Sequence, residues 1–243
     1  MSRIFVHIGA RKGSTGLKNK NLKKFLGKPL ILWTIKQAKM TNNVFKTIVN
    51  TDSKQIANLS SKNGIDIILK RPKKISNSKS SKFDAWKFAV KYLYDKKLIT
   101  KDDIFVDLDC TCPLRSLQCI NEMIDKFVFF KKQKKDFDGI FTIATARKNP
   151  YFNLMEYRNK KYVISKKLRN KEITARQNAP KTLEHVAGLY CAKRDYILNC
   201  KYFFEGKIYG YNVPLLKSFD IDSIEDFELV ESLLKKQKKV LKK

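Results

Sequence analysis

The sequence predicts an α/β fold, a three-layer structure in which helices cover both faces of a wound, mainly parallel sheet. Short apolar runs rich in β-branched residues, such as residues 4–8, alternate with segments of about a dozen residues, such as 29–40, whose apolar positions have helical spacing. Continuous apolar runs are typical of strands buried on both faces, and their alternation with helices requires parallel crossovers. A chain of 243 residues with 43% hydrophobic content can bury the core of one such domain.

The predicted elements follow one another regularly as far as residue 144. We predict strands at 4–8, 47–50, 65–69, 104–108, 139–144 and 208–214, and helices at 29–40, after Ser53, at 83–98, at 117–130 and after Ser223. The segment 148–190 breaks this rhythm, and its short alternating stretches predict an inserted β-rich lobe. We therefore expect a single domain over 1–243 that carries this lobe.

The loop after the first strand combines glycines with fixed positive charges. Its basic and glycine residues are Gly9, Arg11, Lys12, Gly13, Gly16, Lys18 and Lys20. Glycines let backbone amides approach an anion closely, so this composition favours a polyphosphate ligand. The spacing GxxxGxxG matches neither the P-loop nor the dinucleotide fingerprint. A solvated surface turn in a lysine-rich protein is the alternative interpretation.

The formal net charge of +29 is high enough to suggest a nucleic-acid-binding protein. The distribution of the charge favours another interpretation, because the lysines are spread over the whole chain and do not cluster with aromatic residues on one element. We expect no nucleic-acid partner and regard attraction of an anionic substrate as the better use of the charge.

The cysteine pattern and the hydropathy bear on location. Five cysteines without an export signal predict reduced thiols and no structural disulfide, and the two histidines do not complete a zinc site with them. No apolar run approaches the roughly 18 residues that span a bilayer. We expect a cytoplasmic protein with no membrane association.

Three stretches carry a resemblance to a known family. ARKGSTGLKNKN followed by LGKPL, DLDCTCPLR at 107–115 and DIDSIED at 220–226 are similar to motifs of the acylneuraminate cytidylyltransferases, the CMP-sialic acid synthetases. The resemblance extends over nearly the whole chain and implies the nucleotide-diphospho-sugar transferase type of α/β fold. It also implies CTP and an acidic nine-carbon sugar as substrates, and a homodimer formed through the lobe at 148–190.

The resemblance also assigns residues to the nucleotide. Arg11, Ser14, Lys20 and Asn21 are expected to bind the triphosphate and base of CTP, with Arg11 and Lys20 neutralising charge during catalysis. Arg71, in an RP pair after the third strand, is expected to border the cytidine, although composition alone is equally consistent with a turn.

The expected sugar contacts are Asp109, Arg176, Gln177, Tyr190 and Phe203. Asp109 stands where sialic acid synthetases usually have Gln, and this departure resembles the legionaminic-acid branch; a helix N-cap is the alternative for it. Arg176 and Gln177 match an RQ element, and Arg176 is expected to bind the sugar carboxylate of the neighbouring subunit's site, or else to be a surface cation. Phe203 either lines the sugar pocket or belongs to the core.

Asp220 and Asp222 are the expected metal ligands and catalytic residues. Two carboxylates two residues apart point the same way in an extended segment, an arrangement suited to Mg²⁺ shared with substrate phosphates, for which Mn²⁺ can substitute. A capping box explains Ser223 and Asp226 but gives Asp220 no purpose.

The expected reaction is therefore CTP plus a free nonulosonic acid giving CMP-sugar and pyrophosphate. The nearest rival is another nucleotide-sugar nucleotidyltransferase, acting on ketodeoxyoctonate or a sugar phosphate. Two further hypotheses are a basic nucleic-acid-binding protein and a catalytically silent homologue of these enzymes.

Overall fold

A seven-stranded sheet forms the centre of the protein, seen here in a computed structural model that describes residues 2–13, 16–166, 168 and 173–240, without the side chains of 237–240. The strands are β1 (Ile4–Gly9), β2 (Lys24–Phe25), β3 (Lys28–Pro29), β4 (Val44–Thr51), β5 (Ile67–Lys70), β6 (Ile104–Leu108), β7 (Gly139–Thr145), β8 (Met155–Arg158), β9 (Lys161–Ile164), β10 (Leu183–Lys193) and β11 (Ile208–Asn212). The helices are α1 (Leu30–Met40), α2 (Lys54–Lys62), α3 (Lys82–Asp95), α4 (Leu117–Lys132), α5 (Arg194–Asn199) and α6 (Ile224–Val240).

The main sheet has the order β11-β7-β10-β6-β1-β4-β5. Strands β5, β4, β1 and β6 pair in parallel, as do β7 and β11, and β10 is antiparallel to both β6 and β7. The predicted wound, mainly parallel sheet is confirmed. The predicted strand at 65–69 begins later, at Ile67, and the helix predicted to reach residue 98 ends at Asp95.

Helices cover both faces of this sheet. Successive side chains of each strand point to opposite faces, so the sheet separates two hydrophobic cores. Val6 and Ile8 of β1 pack with α1, α2 and α4, whereas Phe5 packs on the opposite face with α3 and α5. A third, smaller core joins α6 to β2 and α1, and it includes Ile221 and Phe227. This small core brings the end of the chain beside the loop that follows β1.

The chain leaves the main sheet between β7 and β10. There β8 and β9 pair as an antiparallel hairpin that forms a separate two-stranded sheet. The predicted lobe at 148–190 is too long at its C-terminal end, because β10 inserts between β6 and β7 and residues 183–190 belong to the central sheet. Alternation in the sequence identified a strand there, but alternation does not reveal which sheet a strand joins.

Candidate active site

A cavity of about 270 Å³ lies where β1, β5 and β6 end at the carboxyl edge of the sheet. This is the edge at which α/β proteins bind ligands. The predicted site residues that line the cavity are Arg11, Lys20, Asn21, Arg71, Asp109 and Asp222. Ser14 lies outside the described residues. The structure thus brings together residues from the beginning, middle and end of the chain.

The loop after β1 is held over the cavity by polar contacts. The guanidinium of Arg11 donates to the main-chain oxygen of Asn77 at 2.7 Å, and the Asn21 amide donates to the main-chain oxygen of Arg11 at 3.2 Å. The backbone amide of Lys12 donates to Asp52 at 2.7 Å. Asn21 is buried, so its contact with Arg11 fixes the shape of the loop beside the cavity.

Lys20 connects this loop to the C-terminal aspartates. Its side chain is largely buried, and its ammonium lies 3.0 Å from Oδ1 of Asp222 and also donates to the main-chain oxygen of Ile221. The Asp222 side chain is 77% exposed, so it remains accessible from the cavity. A cation and a carboxylate that the sequence places at opposite ends of the chain therefore share one site.

Asp220 lies deeper than Asp222, next to the turn that follows β6. The thiol of Cys112 lies 3.8 Å from its Oδ1, and the amide of Ile221 donates to the main-chain oxygen of Thr111 at 2.9 Å. Burial raises the pKa of Asp220, a hydrogen bond with Thr111 opposes the rise, and the charges of Asp109 and Asp222 add to it.

The aspartate pair suits a divalent cation. Repulsion among neighbouring carboxylates is relieved when a cation binds between them, and Mg²⁺ is commonly held by one or two carboxylates with substrate phosphates and water completing its coordination. Over the described parts of the chain, no group of three or more His, Cys, Asp and Glu side chains is arranged to hold a metal. Asp222 lines the cavity and Asp220 lies behind it, so a metal held by this pair would need a phosphorylated ligand and water to complete its coordination.

Arg71 is buried at the end of β5 and is braced by Asn50. Its Nε donates to Oδ1 of Asn50 at 3.2 Å and its Nη2 to the main-chain oxygen of Asn50 at 2.9 Å. Burial lowers the pKa of Arg71, while the charges of Asp52 and Asp107 oppose the decrease. Asn50 in turn donates to the main-chain oxygen of Ala85. The prediction from sequence did not include Asn50, although a buried Asn at a strand end signals a required hydrogen-bond partner.

Asp109 makes contacts with both of its carboxylate oxygens. Oδ2 accepts a hydrogen bond from the amide of Gly188 at 3.0 Å, and Oδ1 accepts one from Lys82. Lys82 also lies 3.6 Å from Oδ2 of Asp107, whose Oδ1 is 2.5 Å from Nδ1 of His7. These contacts form a continuous chain of ionisable groups along the wall of the cavity.

Sequence reasoning missed Lys82, Asp107 and His7. A signal was present for two of them, because Asp107 interrupts the apolar run of β6 and His7 interrupts that of β1. A buried ionisable group in a central strand needs a partner, and two such groups in different strands are candidates to pair with each other. Lys82 gave no such signal, because the surrounding loop is rich in lysine and serine.

Tyr190 and Phe203 belong to an aromatic cluster with Trp86 and Phe141. The ring centroid of Phe203 lies 4.8 to 5.4 Å from the ring centroids of the other three residues. Tyr190 is buried, and the ammonium of Lys82 lies 4.4 Å from the centre of its ring. Tyr190 therefore contacts Lys82 from the side of the core and does not line the cavity. Phe203 is partly buried beside Tyr190.

Arg176 and Gln177 lie away from this cavity. Both are exposed, in a short 3₁₀ turn (Arg176–Asn178) of the segment between β9 and β10. Arg176 donates to the main-chain oxygen of Arg147 at 2.8 Å and lines a separate open depression with Arg147 and Lys148. Within one chain the structure does not bring Arg176 to the other predicted site residues.

Comparison with known proteins places the whole chain in one family. The sequence model of a family described as cytidylyltransferase matches residues 6–243. A post-translational flagellin modification protein B from Campylobacter coli is 33% identical over 242 residues, covering 98% of this chain and 97% of that protein. A CMP-N,N'-diacetyllegionaminic acid synthase from Campylobacter jejuni is 34% identical over 239 residues, covering 96% of each chain.

A solved structure supports the fold. A CMP:2-keto-3-deoxy-manno-octonic acid synthetase complexed with CTP superposes with a TM-score of 0.68 at 18% identity, covering 97% of this chain and 100% of that one. At this level of identity the likeness concerns the fold alone. The match over residues 6–243 and the two full-length relatives show that this chain belongs to the cytidylyltransferase family and is a nucleotidyltransferase.

Proposed function

We propose that the protein transfers CMP from CTP to a free nonulosonic acid, giving a CMP-sugar and pyrophosphate. The observation that carries this proposal is the contact of Lys20 with Asp222, which joins a cationic glycine-rich loop to a carboxylate of the DID motif in the cavity of a cytidylyltransferase. The relative named for CMP-N,N'-diacetyllegionaminic acid, similar over almost its whole length, supports an acidic nine-carbon sugar of the legionaminic or acylneuraminic type.

The mechanism that fits these residues is an in-line displacement at the α-phosphorus of CTP. The anomeric hydroxyl of the sugar forms the new P–O bond while the bond to pyrophosphate breaks, and the hydroxyl proton leaves to water. Arg11 and Lys20 would orient the triphosphate and offset its growing charge, because phosphoryl transfer depends mainly on positioning and electrostatic stabilisation. Asp220 and Asp222 would hold Mg²⁺, or Mn²⁺ in its place, and the ion would neutralise charge on the phosphates.

We also propose that the protein is a homodimer whose sites are completed in trans. The hairpin β8–β9 carries exposed Met155, Tyr157 and Tyr162, an apolar surface of the kind that associates with a partner. Arg176 lies on the same segment and away from its own chain's cavity, so a role at the sugar carboxylate requires the neighbouring subunit.

The proposed location is the cytoplasm, where CTP is available. The described part of the chain contains no helix long and apolar enough to cross a membrane. All five cysteines are free thiols, which suits a reducing compartment.

A pyrophosphate-release assay tests the proposed reaction. The protein, CTP and Mg²⁺ are incubated separately with N-acetylneuraminate, N,N'-diacetyllegionaminate, pseudaminate, ketodeoxyoctonate and a sugar 1-phosphate. Release with a nine-carbon acid is expected, and Lys20→Met should reduce kcat/KM for CTP about a hundredfold. Lys18→Met is the matched control, because Lys18 is exposed in the same loop and does not line the cavity. Release with the sugar phosphate alone would refute the proposal.

A further inference from the structure

Lys82 is held in a fixed position at the edge of the cavity. It is the first residue of α3, directly after Ser81, whose side chain forms a capping box with Asp84. This cap fixes the start of the helix, and with it the direction in which Lys82 leaves the backbone. The side chain is 32% exposed and lines the cavity.

Three groups hold the ammonium of Lys82. It donates a hydrogen bond to Asp109, forms an ion pair with Asp107 at 3.6 Å and lies 4.4 Å above the ring of Tyr190. Burial alone would lower the pKa of Lys82, but the charges of Asp109 and Asp107 outweigh it and raise the pKa well above its ordinary value. The side chain is therefore a fixed cation.

The ammonium retains donor capacity for a ligand. It carries three N–H groups, and among the described residues only Asp109 accepts a hydrogen bond from it. The carboxylates of Asp107 and Asp109 already lie beside this single positive charge, so a third anion would gain little electrostatic energy by binding there. An uncharged oxygen, such as a carbonyl or a hydroxyl, is the acceptor that this environment favours.

Lys82 lies on a different side of the cavity from Arg11 and Arg71, two of the predicted nucleotide residues. Arg71 donates a hydrogen bond to Asn50 near the end of β4. Arg11 donates one to the main-chain oxygen of Asn77 in the loop after β5. Lys82 contacts Asp109 after β6 and Tyr190 of β10, on the other side of β1. This placement favours contact with the second substrate.

We propose that Lys82 is a specificity-determining residue that donates a hydrogen bond to an uncharged oxygen of the acidic sugar, and that Asp109 positions it. The inference rests on the proposed function. It changes the expected role of Asp109, whose two oxygens are engaged by Gly188 and Lys82: Asp109 acts on the sugar through Lys82.

The test compares Lys82→Met with Lys91→Met, a matched change at an exposed position of the same helix. Initial rates give separate KM values for CTP and for the sugar. Loss of a charged donor should raise the sugar KM about tenfold or more and leave the CTP KM within about twofold. Lys91→Met should match the wild type. A larger loss with N-acylated sugars than with ketodeoxyoctonate would identify the acyl carbonyl as the acceptor, and an equal loss would identify a hydroxyl.

An unchanged sugar KM in Lys82→Met, or a rise confined to the CTP KM, would overturn the inference while the proposed function stands. Absence of wild-type turnover with every nonulosonic acid would overturn both. If Lys82→Met fails to fold by circular dichroism, Lys82→Arg decides, because a planar guanidinium does not reproduce the donor geometry of an ammonium. It should raise the sugar KM several-fold, and a wild-type value would again overturn the inference.

Discussion

Gly16 lies directly against the main chain of Asp222, although the two residues are at opposite ends of the sequence. A Cβ atom added to Gly16 would overlap the main-chain oxygen of Asp222. The close approach permits the neighbouring contact between Lys20 and Asp222 at 3.0 Å. Glycine at this position therefore joins the cationic loop to the proposed metal ligands, and a required close backbone approach is a known use of glycine.

Gly16→Ala should separate these two parts of the site. The backbone must shift to relieve the overlap, and displacement of a catalytic group by about 1 Å can cost a hundredfold in rate. We expect kcat/KM for CTP to decrease about a hundredfold, with a small change in melting temperature because the loop lies outside the main core. Gly13→Ala is the control, since a Cβ there meets no atom within 4 Å. Equal activity of the two variants would contradict this role of Gly16.

The predictions from sequence succeeded where one local pattern determines the outcome. The buried run of β1 and its following loop were placed correctly, because both features lie within a few residues of each other. The contact between Gly16 and Asp222 could not be predicted, since it depends on how the small core around Ile221 and Phe227 packs α6 against α1. Tertiary packing of this kind leaves no periodic signal in a single sequence.

Asp222→Asn should weaken metal binding in the presence of CTP. An amide retains the shape of the side chain but removes the negative charge on which hard divalent cations depend. Titration with Mn²⁺ followed by electron paramagnetic resonance should show a loss of affinity of roughly tenfold or more for Asp222→Asn and for Asp220→Asn. Activity of both variants should recover partly at high Mg²⁺ concentration.

Glu225→Gln is the control for the metal titration, because Glu225 is an exposed carboxylate three residues after Asp222 and does not line the cavity. Its Mn²⁺ affinity should equal that of the wild type. If Asp220→Asn and Asp222→Asn also bind Mn²⁺ normally, the metal is held by other residues.

The ionisable groups along the wall of the cavity illustrate a second limit of sequence-based prediction. Asp109 was selected from a motif, but its partners Lys82 and Gly188 belong to α3 and β10 and are distant in sequence. The motif indicated that Asp109 belongs to the site. The contacts of Asp109 with Lys82 and Gly188 could not be predicted from the motif. The contact with Gly188, for example, requires β10 to pair with β6.

Mixed subunits test whether Arg176 acts in trans. In the proposed homodimer, the Arg11→Ala and Arg176→Ala variants should each lose most activity, because one lacks the proposed triphosphate contact and the other lacks the proposed contact to the sugar carboxylate. After exchange of subunits, a mixed dimer contains one site with both arginines intact, so activity should return to about a quarter of wild type for random pairing. Activity that stays at the level of the separate variants, after native mass spectrometry has verified exchange, would exclude an Arg176 contribution from the partner.

The ion pair of Arg3 and Asp103 predicts a pH dependence of stability. Burial alone would raise the pKa of Asp103, but hydrogen bonds from Arg3 and from the Thr100 backbone outweigh it and lower the pKa to about 2. Because the unfolded carboxyl titrates near 3.9, the stabilisation is complete above that pH and is lost as the pH falls toward 2. Asp103→Asn should cost about 1–2 kcal/mol at pH 7, allowing for partial exposure of Arg3, and less below pH 4.

Urea denaturation at several pH values measures this difference. The control is Asp102→Asn, since the Asp102 side chain is 72% exposed and lies 3.6 Å from Lys131. It should alter the free energy of unfolding by less than about 0.5 kcal/mol at any pH. A constant difference between Asp103→Asn and wild type from pH 7 to pH 3 would show that the ionisation of Asp103 does not stabilise the fold.

The identity of the phosphorylated product is the decisive test of the proposed cytidylyl transfer. Phosphorus NMR and mass spectrometry of a reaction with CTP, Mg²⁺ and N,N'-diacetyllegionaminate should show one monophosphate diester, with the mass of the CMP-sugar, and an equal amount of pyrophosphate. This product is expected because, in the proposed reaction, a free anomeric hydroxyl attacks the α-phosphorus. A diphosphate-linked product formed only from a sugar phosphate, or no new phosphorus signal with any nonulosonic acid, would contradict it.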